Sequence, residues 1–259
     1  MLGSCFSDEI GAQMQQRYLN VTCNPFGTLY NPLSIAQAIN YHLPITNDQL
    51  PLVEYEGLWH SMMHHGSLSR ADKDEAQAVI ADSIKTMQQA LSEATVVIVT
   101  FGTAWVYEMN GEVVANCHKL PESCFTRRRL TVEEIVSAWK PILERYPDKH
   151  WIFTVSPIRH IRDGLHENQL SKATLLQAVE QMVNGKWGNG KLHYFEAFEI
   201  MLDELRDYRF YADDLVHPSS LAVNYIWERF VDTFCTNQTK NELVLQHKRW
   251  KHEHHIPLH

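Results

Sequence analysis

No stretch of this chain is apolar for long enough to cross a bilayer: the longest strongly apolar run, 94–101, falls far short of the ~20 residues a membrane helix needs. That run reads as a buried strand, and no membrane partner is expected. Cysteine pairs are missing too. Cys5, Cys23, Cys117, Cys124 and Cys235 are odd in number, irregularly spaced and without a Cys-x-x-Cys, which argues against a disulfide scaffold and fits a reducing, cytoplasmic location. Basic charge is short. The 23 Lys and Arg against 31 Asp and Glu give a net charge of -8, which argues against a nucleic-acid binder. The one compact basic run, Arg127-Arg128-Arg129, reads as a solvated face beside a helix start. No basic segment and apolar run precede Leu2-Gly3-Ser4-Cys5, so its likeness to a bacterial lipoprotein cleavage box carries no weight.

What is present is a chain of 259 residues, 44% hydrophobic, enough for one large domain over 1–236 and a polar tail over 237–259 that is helical or frayed. The periodicity predicts a helix over 7–19, with Ser7 as its cap, then a short strand over 21–23 that ends at Asn24-Pro25-Phe26-Gly27. A helix over 32–42 follows, and then a packed insertion over 46–69 rich in aromatic residues and histidine. A helix over 70–93 leads into a strand over 95–101. Asn110-Gly111 suits the positive φ angles of a type I′ turn, so 105–115 reads as a hairpin outside the main sheet. Thr131-x-x-Glu134 is a capping box opening a helix to 146, followed by a strand over 151–155, a helix from a Ser171 cap to 183, a strand over 192–195 and a helix over 219–234. Such alternation specifies an α/β fold: a mostly parallel sheet with helices on both faces and ligands at the carboxyl ends of the strands.

Two motifs carry chemistry. Gly3-Ser4-Cys5-Phe6 suits a Gly-hinged turn presenting a nucleophile at a helix start, with either Ser4 or Cys5 as the attacking residue. Asp214-Leu215-Val216-His217-Pro218 suits the base and its orienting carboxylate, with Asp213 as a neighbour able to substitute. Arg159 and His160 follow the 151–155 strand at the ligand-binding edge; the arginine suits a carboxylate or phosphate, or an ion pair with Asp163. His60 and His64 are spaced as neighbours on a helix, with His65 adjacent, but no Glu or Cys completes a familiar zinc pattern, so no metal is assigned.

Gly3-Ser4-Cys5-Phe6-Ser7 resembles the signature of the GSCFA family, whose fifth letter is usually Ala where this chain has Ser7. The resemblance extends through 24–28, 30–32, Asn116-Cys117-His118-Lys119, 156–160 and 214–218, covering nearly the whole chain before the tail. It implies membership of the SGNH or GDSL-like hydrolases: a flavodoxin-like three-layer α/β/α sandwich that cleaves or transfers acyl esters, without a cofactor. In the superfamily register Cys5 takes the nucleophile slot and Ser4 replaces the usual Asp; a register one residue earlier makes Ser4 the nucleophile. The first is favoured. The resemblance makes His217 the base, Asp214 its orienting group, and Gly27 and Gly102 oxyanion positions. Ala104 stands where the superfamily has an oxyanion asparagine, with Asn116, His118 or Thr103 as substitutes, and Arg159, His160 and His118 as substrate-binding residues.

The expected function is hydrolysis or transfer of an acyl ester of a small molecule or glycan; the alternative is a non-catalytic ligand-binding module on a degenerate fold of this type. In that fold the strand feeding the turn lies inside the sheet, yet only Met1 and Leu2 precede Gly3. The first strand is therefore expected to be largely missing, through a start assigned too late or a gap partly filled by another segment.

Overall fold

The computed structural model describes residues 1–41, 51–185, 187 and 190–254. The chain enters through a two-residue strand, β1 (Leu2–Gly3), and turns at once into helix α1 (Cys5–Gln15). This helix starts earlier than its periodicity predicts. Ser4 occupies the cap position, while Ser7 is buried in the first turn with its Oγ 2.8 Å from Thr100 Oγ1. The strand expected over 21–23 does not form. Instead the segment runs irregularly beside β1: Asn24 N–H donates to the Met1 carbonyl at 3.0 Å, Leu29 N–H to the Gly3 carbonyl at 2.9 Å, and Asn24 Oδ1 accepts the Gly3 N–H at 2.8 Å. It covers the edge of β1 that an inner strand would occupy.

Helix α2 (Pro32–Asn40) follows, capped by Asn31, whose side chain accepts the Ser34 N–H. The described part of the insertion holds an antiparallel hairpin, β2 (Leu52–Tyr55) with β3 (Leu58–Ser61); the part over 46–50 lies outside the described residues. Helix α3 (Lys73–Glu93), capped by Asp72, leads into β4 (Val96–Phe101). Strands β5 (Trp105–Met109) and β6 (Glu112–Val114) flank Asn110 and Gly111, whose φ angles of +54° and +82° suit the predicted type I′ turn. A third strand, β7 (Thr126–Arg129), pairs with β5, so the arginine run lies in a small antiparallel sheet, partly exposed and just ahead of the next helix, as expected of a solvated face beside a helix start. Arg127 pairs with Asp163, Arg128 with Glu108 and Glu134, and Arg129 with Glu167.

The predicted capping box of Thr131 and Glu134 opens α4 (Val132–Arg145), followed by β8 (His150–Val155). Helix α5 (Leu165–Val183) is already under way at Leu165, so Ser171 is not its cap but a buried mid-helix residue. After β9 (Leu192–Phe195), a short α6 (Ala197–Glu199) runs into a π-helical stretch, Ile200–Leu205. Ser219 caps α7 (Ser220–Phe234), and the tail forms α8 (Asn237–Glu253), held by buried Leu243 and by Arg249 stacked over Tyr18. Among the described residues no helix is long and apolar enough to cross a membrane.

The main sheet is wholly parallel, in the order β1-β4-β8-β9. Strands β4 and β8 are buried beyond their first residue, as expected where helices cover both faces. On one face Val97, Val99, Phe101, Trp151, Phe153 and Val155 pack against α2, α3, α4 and α5, around a fully buried Trp139. On the other, Ile98 and Ile152 pack against α1 and α7 through Phe6, Ile10, Ile226 and Trp227. Burying each of these large side chains stabilises the fold by ~1.5–3 kcal/mol.

The insertion docks through His64. Its ring stacks on Phe26 at 4.1 Å, Nδ1 meets Ser61 Oγ at 2.8 Å, and Nε2 is enclosed without a partner. Burial pushes its pKa down to about 3, with the neighbouring His118 adding to the shift.

The neutral imidazole is therefore the form the fold accepts. An unfolded histidine titrates near ~6.5, so this stabilisation is complete above that pH and is lost as the pH falls towards 3. Urea unfolding of wild type and His64→Asn across that range should give curves that converge towards acid, the wild type losing about 1.4 kcal/mol more per pH unit; parallel curves would refute the assignment. At Gly3 (φ +136°) a Cβ would sit 2.1 Å from the Thr100 carbonyl oxygen, whereas at Gly57 (φ +74°) it meets nothing within 4 Å. Gly3→Ala should accordingly cost on the order of 3 kcal/mol or prevent folding, against about 1 kcal/mol for Gly57→Ala, measured by the same unfolding assay.

Candidate active site

The turn between β1 and α1 separates the two candidate nucleophiles. Ser4 is fully buried, packed against Gly102, and its Oγ has no hydrogen-bond partner. Cys5 is half-buried at the first position of α1, its Sγ 3.8 Å from His217 Nε2. The side chain facing the histidine is the cysteine.

His217 is held by its own loop. A bridge between Tyr211 and Pro218 and an Ala212 N–H donating to the His217 carbonyl at 2.8 Å close the loop, with Leu215 in the left-handed region at φ +57°. Inside it, Asp214 Oδ1 accepts the N–H groups of Val216 and His217, both at 2.9 Å, and Oδ2 lies 2.6 Å from His217 Nδ1. The His217 backbone N–H, then its imidazole, then the Val216 N–H push the Asp214 pKa down to about 2, so the carboxylate stays ionised. It fixes Nδ1 as the protonated nitrogen and leaves Nε2 to accept from Cys5. Asp214, rather than Asp213, makes these contacts.

The thiol is not a standing thiolate. Burial raises its pKa and the carboxylates of Asp8 and Glu9 raise it further, against the lowering effect of the Cys5 and Phe6 N–H groups. Those N–H groups lie in the first helical turn, where no intrahelical acceptor exists. The resting arrangement thus keeps a protonated thiol beside the imidazole.

Three contributors were not foreseen as such. Lys172, in the middle of α5, is 1% exposed; its Nζ donates to the carbonyls of Gly102 and Ser156, both at 2.7 Å, at the carboxyl ends of β4 and β8. Burial pushes its pKa down to about 7, opposed by the negative charge of Cys5. Beside it, Ser171 Oγ accepts the Ala104 N–H at 2.8 Å and meets Thr103 Oγ1 at 3.1 Å. Tyr30 lies in the cleft wall, edge-on to His160. Lys172 had a readable signal: with Leu175, Val179 and Met182 it occupies the apolar stripe of α5, where a lysine is out of place.

Cys5, His217 and Tyr30 open on a cleft of about 1040 Å³ at the carboxyl end of the sheet, whereas Lys172 and Ser171 do not line it. Of the predicted site residues, Cys5, Asn116, His118, Arg159, His160 and His217 line it. Gly27 and Gly102 do not, and their N–H groups are already used: Gly27 donates to the Asn24 carbonyl and Gly102 to that of Tyr30, both at 2.8 Å. Gly27 serves a close approach, since a Cβ there would sit 2.3 Å from that of His65. Asn116 Oδ1 accepts the His118 N–H, and His118 Nε2 meets the Ser61 carbonyl at 2.8 Å. Thr103, also in the wall, accepts the Trp105 N–H. Arg159 stacks over Tyr211 at 3.9 Å while its N–H donates to the Val216 carbonyl; Asp163 pairs with Arg127 instead. Burial, then the charges of Lys172 and His217, push the His160 pKa down to about 3, and its enclosed Nε2 has no partner.

His60 and His64 do not share a helix: His60 is on β3 and His64 in the turn after it. Both ring nitrogens of His60 are engaged, by Ser69 Oγ and the Tyr55 carbonyl. Among the described residues no group of three or more His, Cys, Asp or Glu is arranged to hold a metal ion.

Comparison with the curated proteins and with the solved structures gives no match. The model of the GSCFA family matches residues 1–230, through the turn, the cleft walls and the Asp214–His217 loop alike. A match of that extent identifies the chain as a member of the GSCFA family.

Proposed function

We propose that this chain is an SGNH-like hydrolase or acyltransferase that attacks acyl esters with the Cys5 sulfur. The observation that carries the reading is the line from Cys5 Sγ, 3.8 Å, to His217 Nε2, whose other nitrogen is held 2.6 Å from Asp214. The flavodoxin-like arrangement implied by that superfamily is supported by the parallel strand order and the helices on both sheet faces.

Because the thiol rests protonated, attack requires a base. As the sulfur bonds to the acyl carbon, His217 Nε2 takes the S–H proton, and the ionised Asp214 stabilises the imidazolium that forms. The negative charge moves to the former carbonyl oxygen, for which the N–H groups of Cys5 and Phe6 at the start of α1 are the available donors. The intermediate collapses by breaking the bond to the leaving alkoxide, which receives the proton from His217. A thioester on Cys5 remains. Water or an acceptor alcohol or amine then attacks it, losing its proton to His217, and the thiol is restored with the proton returned.

A carbohydrate ester is the favoured substrate by analogy with the superfamily. The aromatic rings of Tyr30, Trp105, Tyr107 and Phe125 in the cleft support it, since flat apolar faces suit sugar rings and acyl groups alike.

Single-turnover acylation by p-nitrophenyl acetate, followed by intact mass, tests the reading. An acetyl adduct is expected on wild type and Ser4→Ala, none on Cys5→Ala, and one formed ~10²-fold or more slowly on His217→Ala. An adduct lost with Ser4→Ala but kept with Cys5→Ala would reverse the choice of nucleophile, and no adduct on any variant would favour a ligand-binding module.

A further inference from the structure

The cleft holds more positive charge than it neutralises, on a chain whose net charge is -8. Lysine and arginine line it at Lys119, Arg127, Arg159 and Arg162, against the carboxylates of Glu122 and Asp163; Asp8, Glu9 and Asp214 do not line it. Both lining carboxylates are taken. Asp163, with a side chain only 9% exposed, pairs with Arg127, and Glu122 pairs with Arg162 out in solvent. Lys119 and Arg159 are left, among the described residues, without a carboxylate partner. Lys119 is exposed on the 115–120 loop, whereas Arg159 is held. Its N–H donates to the Val216 carbonyl at 3.2 Å, and its guanidinium lies 3.9 Å over the ring of Tyr211 and 5.5 Å from that of Tyr208. Tyr211 is itself bridged to Pro218, so Arg159 is fixed twice to the loop that carries His217. Stacking uses a face of the guanidinium and leaves the donors along its edge. The Tyr211 hydroxyl, kept neutral by burial, supplies no counter-charge.

We propose that Arg159 determines specificity by binding a carboxylate on the substrate, so that the cleft selects acyl esters of acidic molecules. The role rests on the acyl-transfer reading above, and within the carbohydrate class favoured there it points to an acidic sugar. A carboxylate matches what the site offers. Its two oxygens meet paired N–H donors on the edge of one guanidinium, and its single charge is neutralised there, whereas a phosphate dianion would leave a charge unmet. The Tyr211 shelf holds the guanidinium in place before the substrate arrives, so little side-chain freedom is lost on binding. Because one loop sets both Arg159 and His217, a carboxylate bound by the arginine fixes the substrate against the Cys5–His217 pair. Arg159 itself touches no reacting atom. A purely structural arginine, tying the segment after β8 to the 211–218 loop, would instead matter to stability alone.

A pair of alkylating agents that differ in charge tests this without an acyl donor, so the outcome is separable from that of the proposed acylation. Iodoacetate and iodoacetamide each join a methylene carbon to the Cys5 sulfur with loss of iodide, but only iodoacetate brings a carboxylate. The ratio of their rates at Cys5, assigned by peptide mass, cancels any change in the reactivity of the thiol itself. That ratio should fall about tenfold in Arg159→Met. It should fall less than about twofold in Arg162→Met, whose ion pair is exposed, and Arg159→Lys should lie between, keeping the charge but losing the fork. A folded Arg159→Met protein with the wild-type ratio, or an equal fall in both methionine variants, would overturn the inference. Wild type supplies a measurement that needs no variant. Its alkylation rate should level off with rising iodoacetate, as a reversible complex forms first, and rise linearly with iodoacetamide. A linear rise with both would overturn the site whatever becomes of Arg159→Met.

Discussion

The contact on which the site depends is the approach of the Gly3 backbone to Thr100. A Cβ at residue 3 would overlap the Thr100 carbonyl, so only glycine lets a two-residue strand lie flat on β4 and then turn into a helix. Everything reactive inherits its place from that approach: Ser4 is driven into the core, and Cys5 becomes the first residue of α1. So short a strand cannot hold itself, and its other edge is held by Asn24. That side chain accepts from Gly3 N–H and donates to Asp8 Oδ1 at 2.8 Å, while its backbone N–H reaches the Met1 carbonyl. One asparagine, at φ +44°, thus ties β1 to α1 from the side that an inner strand would cover.

The same economy governs charge. Asp214 is kept ionised by backbone and imidazole donors, whereas three other groups of this region are shifted: the thiol is raised, His160 cannot protonate near neutral pH, and Lys172 sits close to its midpoint. Burial is the leading cause for all three, so water exclusion at the carboxyl end of the sheet sets the resting state.

Much of this was legible in the chain because it follows local rules. The runs 94–101 and 151–155 could only be buried strands, Asn110-Gly111 could only be a tight turn, and Thr131 with Glu134 marked a helix start. The Asp214–His217 loop was readable for the same reason, since the spacing of the pair within one loop carries its geometry. What escaped was set by tertiary contact. Gly27 looked like an oxyanion donor, yet its N–H closes a turn and its missing side chain makes room for His65. Ser171 has the residue type of a cap but lies six residues inside its helix, where it is spent on the Ala104 N–H. The spacing of His60 and His64 suited a helix until a strand and a turn divided them.

The candidate nucleophile and the cleft wall lie on different parts of this fold. Cys5, Lys172 and the backbone donors sit on the rigid parallel sheet or the helices packed upon it, whereas the cleft wall is built largely from appended pieces: Trp105 and Tyr107 on β5, Val114 on β6, Arg127 on β7, and the 115–120 loop. That wall is not loose. Ala115 N–H donates to the Met62 carbonyl at 2.8 Å and His118 reaches Ser61, which locks the loop to the insertion, and the insertion in turn is seated on Phe26 by His64. The chain of contacts therefore runs from cleft wall to insertion to the segment that flanks β1, the same segment that steadies the turn bearing Cys5. A change of wall residue alters what the cleft admits, but a change that unseats the insertion reaches Cys5 through Asn24 and Gly3.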